Sequence, residues 1–165
     1  MVIAIDGPSG AGKSTLAELI CADWRARPAL VRLDELYRGW HGLDAGAREL
    51  ARSVVPAVAA GRVGRARTWD WERSRLHVGA PRVLRPGRPV VVEGCGAFAA
   101  TATAPDALRI WVESPLERRR SRALTRDEGR FDAFWNLWES EWRRHLGRQG
   151  GVAAVMARAH LVIRR

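Results

Sequence analysis

Nine consecutive residues near the start of the chain have the types and spacing to hold a polyphosphate: Gly7, Pro8, Ser9, Gly10, Ala11, Gly12, Lys13, Ser14 and Thr15. They fit G-x-x-x-x-G-K-[ST], with Gly7, Gly12, Lys13 and Ser14 at the defining positions. Glycines let the backbone curl so that successive N–H groups converge on one anion. Lys13 then spans neighbouring phosphates, Ser14 offers a hydroxyl to Mg²⁺, and a following helix adds its positive end. Of the 28 basic residues 27 are arginine, and the single lysine is Lys13. A compact, flexible ammonium is needed at that position, and a forked guanidinium does not replace it.

Further groups extend the chemistry. Asp34 follows an apolar run at 29–33, where open parallel sheets present their ligands. There it faces a transferred phosphoryl group and accepts the proton of an attacking hydroxyl, or else caps a helix. Glu93 ends the run Val90-Val91-Val92, the expected place for a carboxylate acting on Mg²⁺ directly or through water. Arg119, Arg122 and Arg126 fall at i, i+3 and i+7, one face of a helix. Their mutual repulsion asks for an anion or carboxylates between them, and a phosphoryl group in transit meets that need. Tyr37 and Trp40 lie in a glycine-containing loop after Asp34, and either stack a ring-shaped substrate or cover the core. The run Trp69-Asp70-Trp71-Glu72 combines indoles with carboxylates, as a sugar or base site requires. Packing with Asp70 as a turn residue explains it equally.

The elements that position these groups follow from periodicity. Residues 2–5, 29–33, 88–94, 108–112 and 160–163 read as strands, and the unbroken valines at 90–92 predict burial on both faces of a parallel sheet. Helices are predicted at 14–22, at 44–60 with an interruption near Pro56, at 115–127, at 131–146 and at 152–158. The aromatic stripe of Phe131, Phe134, Trp135, Trp138 and Trp142 predicts core packing. Residues 61–67 read as a basic connection.

At 165 residues one domain is expected, 1–165, with 47% hydrophobic and 28% charged residues, ordinary for a globular protein. No run is long enough to span a membrane, and Met1 leads straight into the first strand, so a cytoplasmic protein without a membrane partner is expected. Cys21 and Cys95 read as reduced thiols, and His41, His77, His145 and His160 lack metal-ligand spacing. The net charge of +10 suits nucleic acid, a membrane surface, an anionic small substrate or a solvated arginine-rich surface, and no ribonucleoprotein or recognition-helix pattern accompanies it.

Taken in order, GPSGAGKST, LDELY, WDW, VVVEG and RSRALTRD resemble the uridine kinase-like branch of phosphate-loop nucleoside and nucleotide kinases, in its short actinobacterial form. The resemblance implies a three-layer α/β fold, a parallel sheet with helices on both faces and an arginine-rich helical lid at about 115–130. It also implies Mg-ATP as donor and a nucleoside or nucleotide as acceptor. Asp34 then matches the catalytic base, Arg122 and Arg126 the lid arginines, and Glu93 the acid beside the metal. The expected site comprises Lys13, Asp34, Arg122 and Arg126 for catalysis, residues 7–15 for the ATP phosphates and Ser14 with Glu93 for Mg²⁺. Asp34, Tyr37, Trp40, Trp69 and Asp70 are expected at the acceptor. The competing expectations are a kinase for a sugar or antibiotic, and an ATPase or switch associated with nucleic acid.

Overall fold

The computed structural model describes residues 1–79, 81–126, 129 and 131–165. Five parallel strands form the central sheet: β1 (Val2–Asp6), β2 (Ala29–Arg32), β7 (Val90–Glu93), β8 (Leu108–Glu113) and β9 (Leu161–Arg164), in the spatial order β2-β7-β1-β8-β9. The short strands between β2 and β7 lie outside this sheet. Alternation along the strands divides the core. Ile3, Ile5, Val91, Ile110 and Val112 face α1 (Lys13–Asp23), while Ala4, Val31, Val90, Val92 and Trp111 face the opposite layer. That layer contains α2 (Leu43–Glu49), α4 (Ala97–Ala100) and α6 (Trp135–Gly147). The expected three-layer α/β architecture is what the chain adopts.

The register brings the chemistry to one edge. Ile5 pairs with Glu93 and Arg32 pairs with Glu93, so β1, β2 and β7 end level. The chain crosses over β1 between β7 and β8, which opens a crevice at the carboxyl ends, where sheets of this type bind ligands.

Three local expectations are revised. Residues 43–59 remain helical throughout, but Leu50–Val54 widens to a π-turn between α2 and α3 (Val55–Ala59). Pro56 lies in the first turn of α3, lacks a donor and crowds the carbonyl four residues back, so the preceding turn opens instead of breaking. The basic connection contains β3 (Gly64–Ala66), antiparallel to β6 (Arg82–Leu84), and Trp69 and Asp70 form β4, paired with β5 (Arg75–Leu76). The aromatic stripe starts with a 3₁₀ turn at Asp132–Phe134, and α6 begins at Trp135. The arginine helix is α5 (Leu116–Arg126), and α7 is Val152–Met156. Asp127, Glu128 and Arg130, at the end of the expected lid, lie outside the described residues, as does Ala80. Among the described residues no helix is long and apolar enough to cross a membrane.

Candidate active site

The glycine-rich loop of residues 7–15 is built against its neighbours. An added Cβ on Gly7 would stand 2.0 Å from the Val112 carbonyl oxygen, and one on Gly10 would stand 2.1 Å from that of Arg119. Both residues have positive φ, so a side chain is excluded twice over. Behind the loop, the Asp6 carboxylate accepts from the backbone N–H groups of Gly7 (2.7 Å), Gly96 (2.9 Å) and Phe98 (2.8 Å). Burial raises the Asp6 pKa, and these N–H groups oppose the shift. Asp6 thereby ties the loop after β1 to the N-terminal turn of α4.

Lys13 is 7% exposed, and its Nζ donates to the Pro8 carbonyl (2.8 Å) and lies 3.7 Å from Cys95 Sγ. The Ser14 hydroxyl donates to Glu93 Oε1 at 3.1 Å. Two hard oxygen donors side by side, with Asp34 on the same cavity wall, suit a magnesium ion. Burial raises the Glu93 pKa, chiefly opposed by Lys13. The Cys95 thiol is pushed up to about 11 by burial, and its Sγ donates to the Gly7 carbonyl. It is a packed thiol and not a nucleophile.

A cavity of about 780 Å³ opens over these groups. It collects Lys13, Ser14, Asp34, Glu93, Arg122 and Arg126 from four separate segments. The Asp34 turn is held from outside the sheet. Trp71 Nε1 donates to the Asp34 carbonyl (2.9 Å), and Arg82 pairs with Glu35 (2.8 Å). The two antiparallel hairpins therefore brace the turn that presents Asp34.

The acceptor-side expectations divide. Trp40 and Trp69 line the cavity, and Trp40 stacks on Phe134 (4.4 Å between centroids) and Phe131 (5.4 Å). Tyr37 touches the cavity but is 2% exposed, packs on Trp138 and donates its hydroxyl to the Cys95 carbonyl at 2.6 Å. Burial places its pKa well above the usual phenol value, so it braces the wall as a neutral donor. Asp70 does not line the cavity. It accepts from Arg73 N (3.0 Å) and Arg73 Nη1 (3.1 Å), which makes it the turn residue of the β4–β5 hairpin, and Trp71 and Glu72 reach the cavity instead.

The arginine stripe divides too. Arg119 is buried, pairs with Glu139 of α6 (3.0 Å) and donates to the Ser9 carbonyl (3.1 Å). A carboxylate occupies its share of the space, so it clamps α5, α6 and the phosphate loop together, while Arg122 and Arg126 keep the cavity face. Arg165 had no signal in the sequence. Its backbone N–H extends the β8–β9 pairing to the Glu113 carbonyl, and its Nη1 would lie 2.8 Å from a Cβ on Gly12.

No family model and no curated protein sequence matches the chain. Solved structures do. A possible uridine kinase from Bacillus stearothermophilus superposes with a TM-score of 0.64 at 16% identity, over 99% of this chain and 88% of that one. A protein provisionally named a fructose transport system kinase, from Silicibacter sp. TM1040, gives 0.63 at 20% identity, over 98% and 88%. At these identities the likeness is one of backbone architecture: the chain shares the three-layer α/β fold of these structures.

Proposed function

We propose that this chain is a kinase that transfers the γ-phosphoryl group of Mg-ATP to a hydroxyl of a small organic acceptor. The observation that supports it is the convergence of the phosphate loop, Lys13, the Ser14–Glu93 pair, Asp34 and the two α5 arginines on one cavity. In this reading the backbone N–H groups of residues 7–15 hold the donor phosphates, and Lys13 leaves the Pro8 carbonyl to neutralise them. Ser14 and Glu93 hold Mg²⁺, which when bound screens the charge of the phosphate oxygens. Asp34 accepts the proton of the attacking hydroxyl. Arg122 and Arg126 gather the charge that spreads over the equatorial oxygens, and the aromatic wall excludes water. The whole chain acts as one unit, with residues 115–130 as its lid.

For the acceptor, the sequence resemblance and the name of one structural neighbour favour a nucleoside or nucleotide, and the name of the other favours a sugar. The deciding experiment is ADP release from Mg-ATP across nucleosides, nucleoside monophosphates, sugars and aminoglycosides, with Lys13→Ala as the blank. Stimulation by one class, lost in the blank, is the expected result. Slow release that no acceptor changes would replace the kinase reading with an ATPase.

A further inference from the structure

We propose that the acceptor is an organic cation carrying the receiving hydroxyl, and that Glu72 holds its positive charge against the indole wall of the cavity. This rests on the phosphotransfer reading and narrows it. The charges around the cavity are segregated. Its cationic lining groups are Lys13 of the phosphate loop and Arg122 and Arg126 of α5, with Glu93 beside Lys13 and Ser14 at that end, whereas the hairpin and the turn after β2 contribute only the carboxylates Glu72 and Asp34. Arginine is abundant enough to neutralise carboxylates, and at no fewer than six of them it does. Glu18, Glu35, Glu49, Asp70, Glu113 and Glu139 each have an arginine within 3.1 Å. Asp70 and Glu72 are two residues apart on one hairpin, yet Arg73 takes Asp70 alone. Among the described residues no hydrogen bond or ion pair engages the side chains of Glu72 or Asp34. With Asp34 assigned to the proton, Glu72 has no other task in the reaction.

The remaining wall suits the same ligand. Trp40, Trp69, Trp71 and Phe134 line the space beside Glu72, and aromatic faces attract ammonium and other organic cations through their quadrupoles. The Trp69 ring lines this wall while its Nε1 is buried without a partner among the described residues. A phosphate or carboxylate on the acceptor would meet carboxylates and ring faces at this end. Glu72 is exposed, so a neutral polyol would leave it solvated and would gain no charge attraction from it.

Three probes share one aryl carbinol and differ in charge: 2-amino-1-phenylethanol, 1-phenyl-1,2-ethanediol and mandelate. Tryptophan fluorescence titration of the full chain should rank them amine, then diol, then mandelate, with the amine about tenfold tighter than the diol at low salt. Glu72→Gln should shrink that preference to about threefold or less and leave Mg-ATP affinity within about twofold of the parent. Equal binding of amine and diol, tighter binding of mandelate, no amine binding at millimolar concentration, or a preference that survives Glu72→Gln each overturns the proposal. Failure of the phosphotransfer reading would register separately, as ADP release that no acceptor stimulates.

Discussion

Arg119 and Arg122 lie three residues apart on α5, and the structure separates what spacing alone had joined. Removing the Arg119 guanidinium strands Glu139, which is 7% exposed, without its counter-charge. Breaking a buried pair in this way costs about 3 kcal/mol or more. Arg119→Ala should therefore lower the urea midpoint strongly. Arg122→Ala should leave the unfolding free energy within about 0.5 kcal/mol of the parent and reduce turnover about tenfold or more. Equal midpoints for the two variants would mean that the clamp carries no stability. Glu93 makes a second residue-level case, with a sign fixed by burial. Its raised pKa means that ionisation in the folded state is disfavoured. The penalty is absent below the ordinary carboxylate range, where folded and unfolded chains are both protonated, and it grows as pH rises through the folded value. Glu93→Gln should raise the thermal midpoint at pH 7, leave it unchanged near pH 3 and abolish metal-dependent turnover. A lowered midpoint at pH 7 would mean that the Ser14 contact outweighs desolvation.

At the scale of elements, Asp6 joins the loop after β1 to the N-terminal turn of α4 through three backbone donors, and no other side chain among the described residues takes those N–H groups. Asp6→Ala should cost at least about 2 kcal/mol, read by guanidinium unfolding; a variant within about 0.5 kcal/mol of the parent would show that water replaces the carboxylate. These elements differ in how visible they were in the sequence. The strands 2–5 and 90–92 were legible because both faces are buried, and the phosphate loop because only glycine fits beside the Val112 and Arg119 carbonyls. The hairpins were not, because strands of two or three residues carry no measurable period, and a slip of one residue exchanges cavity wall for turn. Asp70 was expected at the cavity, but Arg73 folds back onto it in the turn and Glu72 lines the cavity instead. Arg119 misled because spacing gives a helix face, but not the carboxylate that another helix brings to it. Arg165 was invisible for want of any local pattern: its position depends on β9 pairing beside β8.

On the scale of the whole molecule, donor binding should appear as global stability, since the phosphate loop links β1, α1, α5 and the loop after β7. Mg-ATP at a hundred times its dissociation constant adds about 2.7 kcal/mol, which for a chain of this size raises the thermal midpoint by roughly 5–10 °C. Lys13→Ala should show little of that shift, and a full shift in the variant would move the nucleotide elsewhere on the surface. The +10 charge is spread over a surface on which arginine already pairs with many of the acids, so salt should weaken donor binding without altering the fold.

The solitary lysine has one more consequence. A protease that cuts only after lysine has a single target in these 165 residues, the bond between Lys13 and Ser14. That bond begins α1, beneath a side chain that is 7% exposed. Cleavage by such an enzyme therefore times the exposure of this helix start, and its product is a readable pair of fragments. The same ε-amine, enriched with ¹⁵N, would give a one-line spectrum whose position follows the exchange of the Pro8 carbonyl for a phosphate. A residue chosen for its charge is thus also a built-in clock for the segment that surrounds it.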